Sequence, residues 1–133
     1  MRNMRYAIVA VGAWMLLASV PAIAHHSFAA EFDATKPIKL TGTVTKIEWM
    51  NPHAYFYIDV KDESGKVTNW GMEMGSPNGL MRQGWSRNSM KIGQEVTVEG
   101  SRAKDGSNIG NARSVVLTGG QRLFAGSSQN TTP

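Results

Sequence analysis

The amino-acid sequence predicts a mainly β domain of five strands, with one short helix between the third and fourth strands. Three observations lead to this prediction. Apolar residues alternate with a period of two in most segments after residue 37, turn-forming residues separate these segments, and a single Ser-Pro pair opens a helical pattern. A half-buried strand places every second side chain in the core, so this alternation indicates strands.

The first predicted strand is long and bent. Its alternation begins at Ile38 and passes through Val44, but it continues at Ile47 out of phase. A bulge near Thr45-Lys46 explains the change of phase, because one extra residue shifts all following side chains to the opposite face. Gly42 suits a tightly coiled strand, where a side chain would obstruct closure.

The other elements follow in chain order. The segment "NPH" at residues 51–53 ends the first strand, since Pro52 lacks an amide donor. The second and third strands, "AYFYIDV" and "KVTNWGMEM", are joined by the turn "KDESGK". Ser76-Pro77 then begins the helix, as an N-cap followed by proline in the first turn. The last two strands, "GQEVTVEGSR" and "IGNARSVVL", meet across Asp105-Gly106.

This order of strands, with the helix after the third, is typical of the five-stranded Greek-key barrel called the OB-fold. We therefore predict an OB-fold-like domain over residues 37–118. An extended N-terminal segment over residues 25–36 precedes it, in which Phe28 and Phe32 could hold the segment on the domain by burying their rings. Residues 119–133 are small and polar and are predicted to form a disordered tail.

The first 24 residues have the parts of a secretory signal peptide. Arg2 and Arg5 precede an apolar run over residues 6–20, and Ala22-Ile23-Ala24 forms a small-x-small cleavage site. The run is short for a membrane-spanning helix, which needs about 20 apolar residues. The sequence thus predicts a periplasmic or secreted protein of 109 residues, enough for one domain, with no stable membrane anchor after cleavage.

Composition limits the partners and the site chemistry. The chain has no cysteine, which excludes disulfides and thiolate metal ligands. Without Arg2 and Arg5 it carries 12 basic and 10 acidic residues, a weak balance for binding a polyanion. The aromatic residues of the second strand also have acidic neighbours, Asp59 and Glu73. We therefore expect no nucleic-acid partner.

Three histidines are the candidate metal ligands: His25, His26 and His53. Cleavage before His25 would give that residue a free α-amine beside its imidazole, and the two nitrogens could chelate one ion. Copper is the expected ion, because Cu(II) suits nitrogen ligands and leads the affinity order of the divalent metals. His53, in the turn after Pro52, would supply a third nitrogen, and His26 is the weaker candidate. The other interpretation of His53 is a residue that caps this turn.

The alternative function is a binding module for an envelope protein or a small ligand. It would use surface aromatic residues, for which the candidates are Tyr55, Tyr57 and Trp85. No pattern of a nucleophile elbow, a phosphate loop or a necessary carboxylate pair is found, and the prediction is therefore a non-enzymatic protein.

Four segments of the chain resemble a family of small exported bacterial proteins that is catalogued only as a domain of unknown function. They are "AHHSFAAEFD", "GTVTKIEWMNPHAYFYIDVKD", "NWGMEMGSPNGLMRQGW" and "GQEVTVEGSRAKDGS", which together cover most of the exported chain. The resemblance implies an export signal and a small β-rich domain, and it implies no activity. His25, His26 and His53 lie within the resembling segments.

Overall fold

The computed structural model describes residues 28–126, and it confirms a mainly β protein. Over these residues, six strands and two short helices follow one another in the order α1 (Phe28–Glu31), β1 (Phe32–Glu48), β2 (Tyr55–Lys61), β3 (Val67–Glu73), α2 (Pro77–Arg82), β4 (Glu95–Ala103), β5 (Ile109–Val116) and β6 (Arg122–Phe124). All six strands belong to one sheet, with the spatial order β3-β2-β1-β4-β5-β6.

The long strand β1 connects the two halves of the sheet. Its first part, from Phe32 to Thr43, pairs with β4, and its second part pairs with β2. The register with β2 shifts between Val44 and Lys46, which confirms the bulge predicted from the change of phase. At Gly42 a Cβ atom would lie 2.5 Å from the carbonyl oxygen of Asp59, so glycine is required where the coiled strand crosses β2.

A parallel pairing between β3 and β5 closes a ring of hydrogen-bonded strands. Gly71, Met72 and Glu73 pair with Ile109, Gly110 and Asn111, respectively. The remaining strand contacts are antiparallel, so the ring runs through β1, β2, β3, β5 and β4 and returns to β1. This pairing leaves fewer open strand edges than a flat sheet would have.

The core lies inside the ring. Val44, Phe56, Ile58, Met72 and Val98 are buried there by the alternation of their strands. Helix α2 adds Leu80 to the same cluster. Ser76 accepts a hydrogen bond from the Gly79 amide and Pro77 occupies the first turn, which confirms the predicted start of this helix.

The structure corrects the prediction of five strands and one helix. Residues 122–124 form a sixth strand that pairs with β5, within the segment 119–133 that was predicted as a tail. Leu123 and Ala125 are buried, and the Ala125 amide donates to the Arg113 carbonyl at 2.8 Å. A run of three apolar residues is too short to give a periodic signal, but the open edge of β5 offers it a partner.

The N-terminal segment also differs from the extended conformation expected for residues 25–36. Residues 28–31 form one helical turn, and β1 begins at Phe32, six residues before the predicted alternation. Phe28 and Phe32 stack with their ring centroids 5.7 Å apart, and Phe32 is buried opposite Ala103. Aromatic packing at i and i+4 on a helical turn explains this local structure.

Candidate functional site

His53 lies in the connection between β1 and β2, directly after Pro52. The neighbouring residue Ala54 makes two backbone hydrogen bonds to the residues that directly follow β3. Its amide donates to the Gly75 carbonyl at 3.0 Å, and its carbonyl accepts from the Met74 amide at 2.8 Å. These bonds continue the β2–β3 ladder past Tyr55. They hold the backbone beside His53 in a fixed position at the end of the sheet.

Glu73 joins His53 to Tyr55. One carboxylate oxygen, Oε1, lies 3.1 Å from Nδ1 of His53, and the other, Oε2, accepts from the Tyr55 hydroxyl at 2.7 Å. Tyr55 and Glu73 are cross-strand partners, so both side chains leave the sheet on its outer face. Only 8% of Glu73 is exposed. The three residues are called the His53–Glu73–Tyr55 cluster below.

The cluster leaves one nitrogen of the His53 ring for other contacts. With the ring proton on Nδ1, the nitrogen that faces Glu73, the lone pair of a neutral ring is on Nε2. Within residues 28–126, Nε2 has no hydrogen-bond partner, and the His53 side chain is 30% exposed. A carboxylate that orients imidazole in this way is the usual second partner of a metal-binding histidine.

The environment of Tyr55 opposes ionisation of its hydroxyl. Burial is the main cause that raises the pKa of Tyr55 well above its ordinary value of 10.0, and the hydrogen bond to Glu73 and the negative charges of Glu73 and Glu31 raise this pKa further. The hydroxyl therefore remains a hydrogen-bond donor to Glu73 over the physiological pH range.

This raised pKa predicts a loss of stability in base. The folded protein retains a phenol proton that the unfolded chain releases from about pH 10 upward, so the free energy of unfolding should fall as the pH rises above that value. Tyr55→Phe should reduce this alkaline slope. Urea unfolding at a series of pH values between about 8 and 11 measures it. An unchanged slope in Tyr55→Phe would mean that Tyr55 does not cause the effect.

The N-terminal turn is attached close to the same cluster. The Lys104 amide donates to the Glu31 carbonyl at 2.9 Å, and the Lys104 ammonium donates to the Ala29 carbonyl. The charge of Glu31 contributes to the raised pKa of Tyr55, which places this residue within electrostatic range of the cluster.

The predicted metal ligands are only partly within the described residues. His25 and His26 lie outside them, as do residues 1–24 of the predicted signal peptide. Over residues 28–126, no group of three or more His, Asp or Glu side chains is arranged to hold a metal ion. Over the same range, no helix has the length and apolar character needed to cross a membrane.

Of the three candidate surface aromatics, Trp85 does not lie on the surface. It is 4% exposed, and its indole nitrogen donates to the Phe124 carbonyl at 2.8 Å, so it packs helix α2 against β6. The prediction of Trp85 as a surface residue is wrong because β6, which covers it, was predicted as a tail. Tyr57 is half-buried, donates to Glu48 at 3.2 Å and carries the Lys46 ammonium 5.2 Å from its ring centroid.

Glu73 was not predicted as a site residue. It was named only as an acidic neighbour of the aromatic residues of the second strand, and no spacing along the chain relates it to His53. The available signal was the hairpin register, since "KDESGK" between the two strands places Tyr55 opposite Glu73. The position of His53 depends on the connection between β1 and β2, for which no such rule exists.

The fold and the site define a small, mainly β protein in which a buried carboxylate contacts a half-buried histidine. A family model of unknown function, DUF6152, matches residues 13–112, which is most of the chain. The chain therefore belongs to the DUF6152 family. Comparisons with curated proteins and with solved structures give no significant match.

Proposed function

We propose that this protein is a non-enzymatic copper-binding domain of the periplasm, in which His53 and the N-terminal His25 of the exported chain supply nitrogen ligands. The observation that carries the proposal is the 3.1 Å contact between Oε1 of the buried Glu73 and Nδ1 of His53. A carboxylate at this distance favours the ring proton on Nδ1, which leaves the lone pair of the neutral ring on Nε2 for a metal ion.

The attachment of the N-terminal turn supports the involvement of His25. Three peptide units separate residue 25 from Phe28, so the two Cα atoms lie within about 11 Å of each other in any conformation. Phe28 stacks on the buried Phe32, and Glu31 is within electrostatic range of Tyr55. A chelate of the new α-amine and the His25 imidazole can therefore approach His53 with little loss of chain entropy.

The order of strands in the ring supports the finer description of the fold as a five-stranded OB-fold. In this interpretation β1, β2, β3, β5 and β4 form the barrel, α2 lies between the third and fourth strands, and β6 is an addition. His53 is then in the connection between the first two strands, one of the loops through which OB-folds bind their ligands. A crystal structure in which β3 and β5 are not hydrogen-bonded would contradict this interpretation.

Cu(II) titration followed by electron paramagnetic resonance tests the copper site. The protein is prepared with His25 as its first residue, released from a fusion by a protease, and in a second form with one extra N-terminal residue. We expect one Cu(II) with several nitrogen ligands in the first form, and about tenfold weaker binding or more in the second. Equal binding by the two forms, or binding by neither, contradicts the proposal.

The contribution of His53 is measured separately, because any N-terminal histidine chelates Cu(II). A peptide of residues 25–36 supplies this baseline affinity, and the complete protein should bind more tightly than the peptide. His53→Ala should reduce the protein to the affinity of the peptide, whereas His26→Ala, the matched control, should have a smaller effect. If His53→Ala binds like the unchanged protein, His53 is not a ligand.

A further inference from the structure

A cavity between β5 and β6 is lined by two arginines, a hydroxyl group and an aromatic ring. Its volume is about 350 Å³, and its walls are Arg113, Ser114, Arg122 and Phe124. This volume lies at the lower end of the range for small-molecule sites. All four residues follow the segment matched by the family model, which ends at residue 112, and none belongs to the His53–Glu73–Tyr55 cluster.

A bulge places Arg113 at this cavity. The register between β4 and β5 changes between Glu99 and Gly100, which pair with Ser114 and Ala112, so Arg113 is the extra residue of β5. Its carbonyl is held by the Ala125 amide at 2.8 Å, which fixes the backbone. Within residues 28–126 its guanidinium makes no hydrogen bond or ion pair, and all five of its N–H donors are available.

Arg122 is held in place by one of its nitrogens. Nη2 donates to Oε2 of Glu99 at 2.6 Å and to the hydroxyl of the buried Ser114 at 3.0 Å. Nε and Nη1 have no partner among the described residues. The side chain is thus oriented before any ligand arrives, and it keeps donors for one.

The charges around the cavity favour an anion. Arg113 and Arg122 line the cavity, and the carboxylate bonded to Arg122, that of Glu99, is also paired with Lys39 at 3.5 Å. Guanidinium groups bind carboxylate and phosphate oxygens through paired hydrogen bonds, which are stronger than neutral ones. Phe124, half-buried in the wall, offers an apolar surface beside them.

We propose that this cavity binds a small organic oxyanion, with its carboxylate or phosphate group on Arg113 and Arg122 and its apolar part against Phe124. The site is independent of the copper proposal, since it shares no residue with it. The pair of arginines recognises the oxygens, and the aromatic wall distinguishes an organic anion from an inorganic one.

Nuclear magnetic resonance titration of the complete ¹⁵N-labelled protein tests the proposal with three probes: benzoate, phenyl phosphate and inorganic phosphate, at low ionic strength. We expect saturable shifts of the amide signals of residues 113, 114, 122 and 124 with benzoate or phenyl phosphate, and weaker binding of inorganic phosphate. The better of the two organic probes identifies the head group. If the shifts do not saturate by about 10 mM probe, the dissociation constant is too high for a specific site, and the proposal is contradicted.

Arg113→Gln is the decisive variant, because the Arg113 side chain has no structural partner among residues 28–126 and its loss should not unfold the protein. It should weaken binding of the better probe about tenfold or more. Arg87→Gln is the matched control: Arg87 is exposed, outside the cavity, and its removal changes the net charge equally. Equal weakening by the two variants would mean unspecific attraction. If inorganic phosphate binds as tightly as phenyl phosphate, Phe124 does not contact the apolar part of the ligand, and that part of the proposal is wrong.

Discussion

Glu73→Leu is expected to weaken the binding of Cu(II) by the protein that begins at His25 about ten- to a hundredfold, the usual effect of losing a partner behind a metal ligand. The substitution removes both acceptors of the cluster, so Nδ1 of His53 is no longer held at 3.1 Å and the ring can turn. Glu73→Gln keeps one acceptor oxygen and should have an intermediate effect. Competition with a copper chelator of known affinity measures each value.

Glu48→Leu is the matched control for this prediction. Glu48 is the cross-strand neighbour of Tyr55 on β1, and its carboxylate contacts Lys46 and Tyr57 instead of His53. Its loss should leave copper affinity unchanged. A Glu73→Leu protein that is folded and binds copper like Glu48→Leu would contradict the orienting role of Glu73.

A second readout of this role needs no metal. The ¹⁵N shifts of the His53 ring report whether the proton is on Nδ1 or Nε2. We expect the Nδ1–H form in the metal-free protein and a mixture of forms in Glu73→Leu. If the tautomer is as expected but no copper binds, the orientation of His53 is right and the proposed function is wrong.

Gly100→Ala is expected to lower the free energy of unfolding by about 3 kcal/mol, the upper part of the range for overpacking. A Cβ at this position would lie 1.9 Å from the Asn111 carbonyl oxygen, a backbone atom that cannot move without opening the ladder between β4 and β5. Asn111 also pairs with Glu73, so the displacement would reach the β3–β5 contact that closes the ring.

Urea unfolding followed by tryptophan fluorescence measures this loss. Gly79→Ala in helix α2 is the control, because its Cβ would meet only the Ser76 hydroxyl, at 3.1 Å, and alanine is favoured over glycine in a helix. We expect a change within about 1 kcal/mol there. The steric explanation is wrong if Gly100→Ala costs no more stability than Gly79→Ala.

The sequence predicted those features of the fold that depend on local patterns. The bulge after Val44 appeared as a change of phase, and the start of helix α2 as a Ser-Pro pair. Strand β6 was missed although its partner β5 directly precedes it in the sequence, because the segment around it was interpreted from its small and polar composition. A three-residue strand gives too few alternations to be recognised.

The site was predicted in part for the same reason. His53 stood out as a rare residue type in a turn, and the metal hypothesis attached to it remains a prediction. Glu73 is one of ten acidic residues, and only the register of two strands and the path of a loop bring it to His53. The cavity between β5 and β6 requires the strand that was missed, and no sequence pattern could have indicated it.

The bonds made by β6 define where this protein can be shortened. The segment matched by the family model ends at residue 112, inside β5, yet the Ala125 carbonyl accepts from the Gly75 amide at 2.9 Å and the Phe124 carbonyl accepts from Trp85. Val115, Leu117, Leu123 and Ala125 belong to the buried cluster. A chain cut at the family boundary would expose this part of the core to water, and the smallest unit that keeps it extends at least to Gly126.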